Sequence, residues 1–271
     1  MSSQKPEVKK ENFNVKSFFQ TNYGLGRIPT VTPLDKKKVV IGAIVAVLGL
    51  ILGFAVSAIL LIATVVGGII IALPIVKNKQ EVAYKSAWNT EWSRRNNTWP
   101  AEFDKFREKT IKDQNLKDRG MNYLGVDAEN LIKDEKGEAS AFSIRGNNFD
   151  GAWRRTNGVY RTEYVDITWL YFGVDQVYIY KVRLSLSDPA TKREDSMEFF
   201  FKDIVSVSVA QEGVDVKGSG ADESESVKQV DVERFRLTVP GDKISFAYTP
   251  TDYTTGRINS MKQMIREKKN S

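Results

Sequence analysis

The feature that most constrains this sequence is a stretch of 38 residues, 39–76, that contains no charged side chain. An apolar run of about 18 residues or more is typical of a membrane span, because bilayer hydrocarbon is about 30 Å thick. At about 1.5 Å per residue, one straight helix over this run would extend about 57 Å, which tilt does not absorb. The run therefore predicts two spans that form a transmembrane helical hairpin.

Lysines flank both ends of this run. Lys36, Lys37 and Lys38 directly precede it, and Lys77 and Lys79 follow it. Basic residues beside membrane spans stay on the cytoplasmic side. The flanks therefore predict a multi-pass protein of the cell (inner) membrane with both termini in the cytoplasm.

Small residues spaced four apart lie near the middle of the run, at Gly49, Gly53 and Ser57. This spacing lets helix backbones approach closely in lipid, so it predicts either packing within the hairpin or a contact between copies. The alternative is that glycine is simply common in membrane helices. Because no ionisable side chain lies inside the run, the sequence favours an anchor over a transporter.

The rest of the chain divides into three segments by composition. Residues 1–38 carry eight basic and three acidic side chains without periodicity, which predicts a disordered basic cytoplasmic arm. Residues 77–138 have helical spacing with a break at the Trp99-Pro100 pair, so they are predicted to form a helical connector. Residues 139–271 alternate apolar and polar side chains as strands do, which makes the fold class α+β.

Within the last segment the pattern predicts seven strands and a closing helix. Gly173 marks one hairpin, and Pro240 followed by Gly241 is typical of a type II turn in a second hairpin. One face of the C-terminal helix, predicted over 256–269, carries Ile258, Met261, Met264 and Ile265. The predicted strands are 141–145, 160–172, 176–186, 197–201, 204–210, 230–239 and 244–248.

Four stretches of this segment carry a family resemblance: VYIYKVRLSL at 177–186, EFFFKDIVSVSV at 198–209, FRLTVPGDKISFAY at 235–248 and INSMKQMIREKK at 258–269. Together they resemble bacterial PH-like (GRAM-like) domains, in which a Tyr/Phe-x-Asp-Ile-x-Ser-Val motif, filled here by 201–207, precedes a strand pair and the closing helix. The whole chain is similar to uncharacterised bacterial membrane proteins that carry such a domain after a hydrophobic hairpin. The resemblance implies a β-barrel or sandwich capped by a helix, which serves as a platform for binding lipids or proteins.

The chain contains no cysteine and no histidine. This excludes disulfides, thiolate nucleophiles, zinc sites of the Cys/His type and histidine acid–base catalysis. The carboxylates of Asp222, Glu223 and Glu225 lie in a Gly/Ser-rich stretch without a partner base. We therefore predict no catalytic residue, no cofactor and no metal ligand, and a carboxylate-based metal hydrolase remains as the enzyme alternative.

A basic and aromatic patch is the candidate binding site of the soluble part. It consists of Trp153, Arg154, Arg155 and Arg161. Arginine matches phosphate geometry with two parallel hydrogen bonds, so the patch is a candidate contact for anionic lipid headgroups. The alternative is an ordinary surface loop.

These observations predict a membrane-anchored, non-catalytic adaptor that presents a PH-like domain to a protein or to anionic lipid. The alternative is a ligand-triggered, membrane-perturbing effector of the defence type with oligomerising hairpins. The expected partners are the membrane, anionic headgroups and a protein of unknown identity, with a homo-oligomer as an open alternative. Nucleic acid is not expected, because 1–38 alone carry +5 of the net charge of +6.

Overall fold

A computed structural model describes residues 8, 10–53, 58–133, 141–216, 229–248, 250 and 252–270. The chain forms two compact units. The first, which we call the helical unit, comprises Met1–Asn12 and Leu25–Thr98, and the second, the β-unit, comprises Phe13–Gly24 and Trp99–Ser271.

Five α-helices lie in the described residues, and the third of them contributes residues to both units. Their bounds are α1 Val15–Phe18, α2 Lys36–Gly53, α3 Ala58–Asp113, α4 Leu116–Leu124 and α5 Asp252–Asn270.

None of these helices, as far as the chain is described, combines the length and the apolar character that a membrane crossing requires. The predicted transmembrane hairpin over 39–76 is therefore wrong. The predicted multi-pass inner-membrane location with two cytoplasmic termini is wrong for the same reason. α2 extends from Lys36 to Gly53. Its uncharged part, 39–53, therefore rises only about 22 Å. α3 does not end near residue 76 but continues through charged sequence to Asp113.

The predicted break at the Trp99-Pro100 pair is also wrong, because α3 passes through it without interruption. Proline removes one backbone hydrogen bond from a helix. Trp99 and Phe103, one turn apart, are both fully buried, and this burial offsets the lost bond.

Several large apolar side chains of the helical unit are at least half exposed. They include Ile41 and Ile44 on α2, and Val65 and Leu73 on α3. Exposed apolar surface of this kind is typical of contacts with another molecule. The homo-oligomer suggested by the sequence stays a prediction.

The β-unit contains two antiparallel sheets, so the α+β class is confirmed. The four-stranded sheet has the order β1-β2-β3-β4, and the three-stranded sheet has the order β5-β6-β7. The strands are β1 Ala141–Thr156, β2 Val159–Phe172, β3 Gln176–Ser185, β4 Lys192–Phe200, β5 Ser206–Asp215, β6 Gln229–Val239 and β7 Asp242–Tyr248.

The two predicted hairpins are both present. The amide of Gly173 donates to the carbonyl of Gln176 at 2.8 Å where β2 turns into β3. Val239 pairs with Asp242 across the second turn, where Gly241 has a φ of +79°. A type II turn requires positive φ at this position, which only glycine adopts without strain.

The core of the β-unit lies between the two sheets at the end that α5 covers. Leu170 and Ile179 of the four-stranded sheet and Phe235 of the three-stranded sheet are fully buried in it. From α5, Ile258, Met261 and Ile265 join this core and Met264 packs against it, as the helical spacing predicts.

Candidate functional site

The candidate site arises because the face of β3 that points towards the other sheet, its inner face, changes from apolar to charged along the strand. Val177 and Ile179 are fully buried core residues. Since side chains alternate between faces, Lys181 and Arg183 lie on this same face further along the strand. A dry core does not accommodate two charged side chains in succession, so the sheets remain apart along this half.

The result is an open cleft between the two sheets with a volume of about 670 Å³. On one side β1 meets β7 so closely that a Cβ atom on Gly146 would collide with the carbonyl of Ala247. Glycine at this position therefore allows the two backbones to touch. The charged lining residues include Asp166, Lys181, Arg183, Arg193 and Asp195 from the four-stranded sheet, and Asp215 from the three-stranded sheet.

Asp166 of β2 organises one wall of the cleft. Its carboxylate accepts hydrogen bonds from Arg183 Nε at 2.9 Å and from Asn148 Nδ2 at 2.7 Å. Arg183 also reaches the carboxylate of Asp150 at 2.8 Å. The hydrogen bond with Asp166 raises the pKa of Arg183, so its guanidinium stays protonated. The two carboxylates offset its charge, and the side chain is a structural part of the wall.

Lys181 lies deeper in the same wall and is partly buried. Burial lowers the pKa of its ammonium group, against the attraction of nearby carboxylates, of which Asp195 acts most strongly. Asp195 is its direct neighbour across the β3–β4 pair. The ammonium also lies 5.2 Å from the ring centroid of Phe246 on the opposite sheet, within cation–π range.

Arg193 of β4 is an exposed cation that lines the cleft. It stands directly opposite Arg183 in the sheet, and like charges in this position repel each other. Asp166 and Asp150 offset the charge of Arg183. Among the described residues no carboxylate forms an ion pair with Arg193, so its guanidinium is available to a ligand.

The outer face of the same sheet is occupied by packing. Glu194 of β4 accepts hydrogen bonds from Arg119 of α4, at 2.7 Å from Nη2, and from the hydroxyl of Tyr180. The hydrogen bond from Arg119 lowers the pKa of Glu194 to about 2. This ion pair and the tight approach of Gly120 to Tyr180 hold α4 on the sheet.

The four residues of the predicted basic patch do not form one exposed surface. Trp153 and Arg154 are each 2% exposed and Arg161 is 6% exposed. Arg155 is exposed, and its guanidinium lies 5.2 Å from the ring centroid of Tyr160. Three of the four residues are therefore inside the protein.

Both buried arginines of the patch have protein partners. Arg154 donates from Nε to the carbonyl of Phe18 at 2.7 Å and from Nη2 to the carbonyl of Gln20 at 2.6 Å. Arg161 donates to both carboxylate oxygens of Asp104, at 3.0 and 2.7 Å. These contacts hold neighbouring parts of the β-unit together.

The lysines that flank the uncharged run lie in helices. Lys36, Lys37 and Lys38 form the start of α2, and Lys77 and Lys79 lie within α3. Lys38 pairs with Asp35 at 3.6 Å, and Lys77 pairs with Glu81 at 3.9 Å.

The remaining sequence candidates lie at or beyond the limits of the described chain. Gly49 and Gly53 belong to the last turns of α2. Ser57 and the acidic residues Asp222, Glu223 and Glu225 lie outside the described residues. Within the residues that are described, no three His, Cys, Asp or Glu side chains are grouped to hold a metal ion.

No protein-family model matches the sequence, and neither the curated proteins nor the solved structures give a match. The cleft residues Asp166, Lys181 and Arg193 were missed by reasoning from the sequence. The available signal was the pair of charges at inner-face spacing in an otherwise apolar β3, but only the strand register shows which charges share a wall.

Proposed function

We propose that the chain is a non-catalytic binding module whose β-unit, a PH-like domain, holds a segment of a protein partner in the cleft between its sheets. The layout of four strands, then three strands, then one closing helix supports the PH-like part of this proposal. The cleft supports the binding part, because ligand sites are concave and carry a few well-placed polar groups.

The observation that carries the proposal is the mixture of charges in the cleft. Lys181 and Arg193 line the cleft together with Asp195 and Asp215, while the charge of Arg183 is offset within the wall. An anionic membrane or a nucleic acid presents one sign of charge and attracts a surface of the opposite sign. A polypeptide segment carries both signs, so it matches this lining better.

The backbone of β4 offers a second means of recognition. In the part of the chain that is described, β4 pairs with β3 alone and forms the end of its sheet. Such an edge has unpaired amide and carbonyl groups, to which an extended peptide adds as a further strand. Main-chain bonds along β4 would supply affinity, and Arg193 and Lys181 would select the side chains.

Binding of anionic lipid, the other partner class suggested by the sequence, has less support. The patch on which it rested has Trp153, Arg154 and Arg161 buried. A buried guanidinium that already donates to protein oxygens does not reach a headgroup.

The test is site-specific photo-crosslinking in the full-length chain inside its native cells. A photoreactive residue is placed at Arg193, and a matched control is placed at Arg266, an exposed arginine on α5. We expect one discrete protein to be captured from position 193 and not from position 266, and we expect the substitution Lys181→Glu to abolish its capture. The same product from both positions, or none from position 193, would refute the proposal.

A further inference from the structure

The N-terminal segment Phe13–Gly24, which we call the arm, belongs to the β-unit although the whole of Leu25–Thr98 separates it in sequence from the rest of that unit. The sequence-based prediction that residues 1–38 are disordered does not anticipate this packing. The arm contains α1, whose N-cap Asn14 accepts hydrogen bonds from the amides of Lys16 and Ser17. A short turn over Thr21–Gly24 completes it.

The arm occupies an aromatic pocket formed by Trp99, Phe103, Phe106 and Arg154. The ring of Phe18 stacks on Phe103 with centroids 4.7 Å apart. Phe13 and Tyr23 approach Trp99 edge-on, at 5.8 and 5.7 Å. Phe18 and Tyr23 are fully buried, so these rings are anchors rather than surface contacts.

Arg154 recognises the backbone of the arm as well as its side chains. Its guanidinium donates to the carbonyls of Phe18 and Gln20 and lies 3.7 Å from the ring centroid of Tyr23. A pocket that combines aromatic anchors with a donor to main-chain oxygens has the chemistry of a peptide-binding site.

The docked arm contains a strained backbone. Asn22 and Tyr23 have φ values of 52° and 55°, in the left-handed region that side chains other than glycine rarely adopt. Gly24 and Gly26 follow with φ values of 76° and 77°. Strain of this kind persists only where surrounding contacts impose it, and it is concentrated at clamps and switches. Undocking of the arm would release it.

We propose that the arm is exchangeable, so that a second copy of the chain places its own arm in the aromatic pocket and two copies become joined by reciprocal exchange. The exchanged form makes the same contacts to Trp99, Phe103 and Arg154 as the unexchanged form, so exchange sacrifices none of them. The partner is a second copy because its arm is the one sequence that this structure shows to fit the pocket.

The test uses the absence of cysteine from the chain. Phe13 on the arm and Phe106 in the pocket have ring centroids 5.9 Å apart, and both side chains are partly exposed. Full-length chains carrying Phe13→Cys and Phe106→Cys singly are mixed at high concentration and treated with a short bifunctional thiol reagent. We expect a covalent dimer that contains one copy of each variant.

Two controls accompany this experiment. Pairing Phe13→Cys with Val174→Cys, which is exposed in the turn between β2 and β3, should give no dimer. A single chain carrying both Phe13→Cys and Phe106→Cys should become linked within itself, which shows that the reagent spans the docked pair.

Arm exchange also predicts that two further changes prevent formation of the covalent dimer. Adding Arg154→Ala to the chain that carries Phe106→Cys should abolish it, and an excess of a synthetic peptide with the sequence of 13–24 should suppress it without any change in the protein. If the doubly substituted chain is linked only within itself and the mixed chains give no dimer, the arm docks strictly within one chain and the proposal is wrong. A dimer that persists at full yield with the peptide present would also overturn it.

Discussion

Replacing Arg154 by alanine tests whether this buried side chain holds the arm on the β-unit. The guanidinium makes two hydrogen bonds to carbonyls, at 2.7 and 2.6 Å, and stacks on Tyr23. A hydrogen bond from a charged group contributes about 1.5–3 kcal/mol, and a desolvated cation–π contact about 2 kcal/mol. These contributions are not fully additive because the carbonyls regain water when the arm loosens, so we expect a loss of about 3–5 kcal/mol.

The assay is urea unfolding of the full chain, monitored by tryptophan fluorescence. Trp99 is buried beside the arm and Trp153 is buried on β1, so both report on this region. In thermal unfolding the same loss corresponds to a decrease in Tm of about 6–20 °C for a unit of this size. The matched control is Arg155→Ala, which removes an exposed cation–π contact and should change stability by at most about 1 kcal/mol. Equal small shifts for the two variants would refute the role assigned to Arg154.

Two further predictions concern the packing of α4 on the four-stranded sheet. Gly120→Ala should destabilise the protein by about 1–3 kcal/mol in urea unfolding, because the added Cβ would collide with the hydroxyl of Tyr171; Gly68→Ala, at a helical glycine with no atom near the new Cβ, should not destabilise it. The hydrogen bond from Arg119 lowers the pKa of Glu194 from 4.5 to about 2, so its stabilising effect is complete above about pH 4.5 and is lost as the pH falls towards about 2. In an acid titration followed by circular dichroism, Glu194→Gln should remove this part of the pH dependence, and an unchanged profile would contradict the assignment.

Local sequence rules predicted the elements of the β-unit well. The alternation of apolar and polar residues placed β2 and β3, and the Pro240-Gly241 pair specified a turn that needs positive φ. The spacing of Ile258 and Ile265 identified the face of α5 that enters the core. Each of these features depends on neighbours within about ten residues, which the sequence displays directly.

The candidate site was less accessible to prediction because it depends on contacts between distant segments. The sequence pattern places Arg154 in a candidate surface patch, but the segment that buries it lies far upstream, where no periodicity indicates structure. Which residue of β4 faces Lys181 is decided by strand register, and composition does not encode it. The prediction of a membrane hairpin rests on the length of an uncharged run and on the lysines that flank it, whereas the helices begin and end elsewhere.

The inner face of β3 is divided into a core half and an open cleft half, and the proposed binding site depends on this division. The most direct measurement is thiol labelling of two folded variants of this cysteine-free chain, Lys181→Cys in the cleft and Ile179→Cys, one inner-face position away and fully buried. We expect a maleimide reagent to modify Lys181→Cys in the native protein but to modify Ile179→Cys only after unfolding. Equal protection of both thiols would show that the cleft is closed and would contradict the proposed binding site.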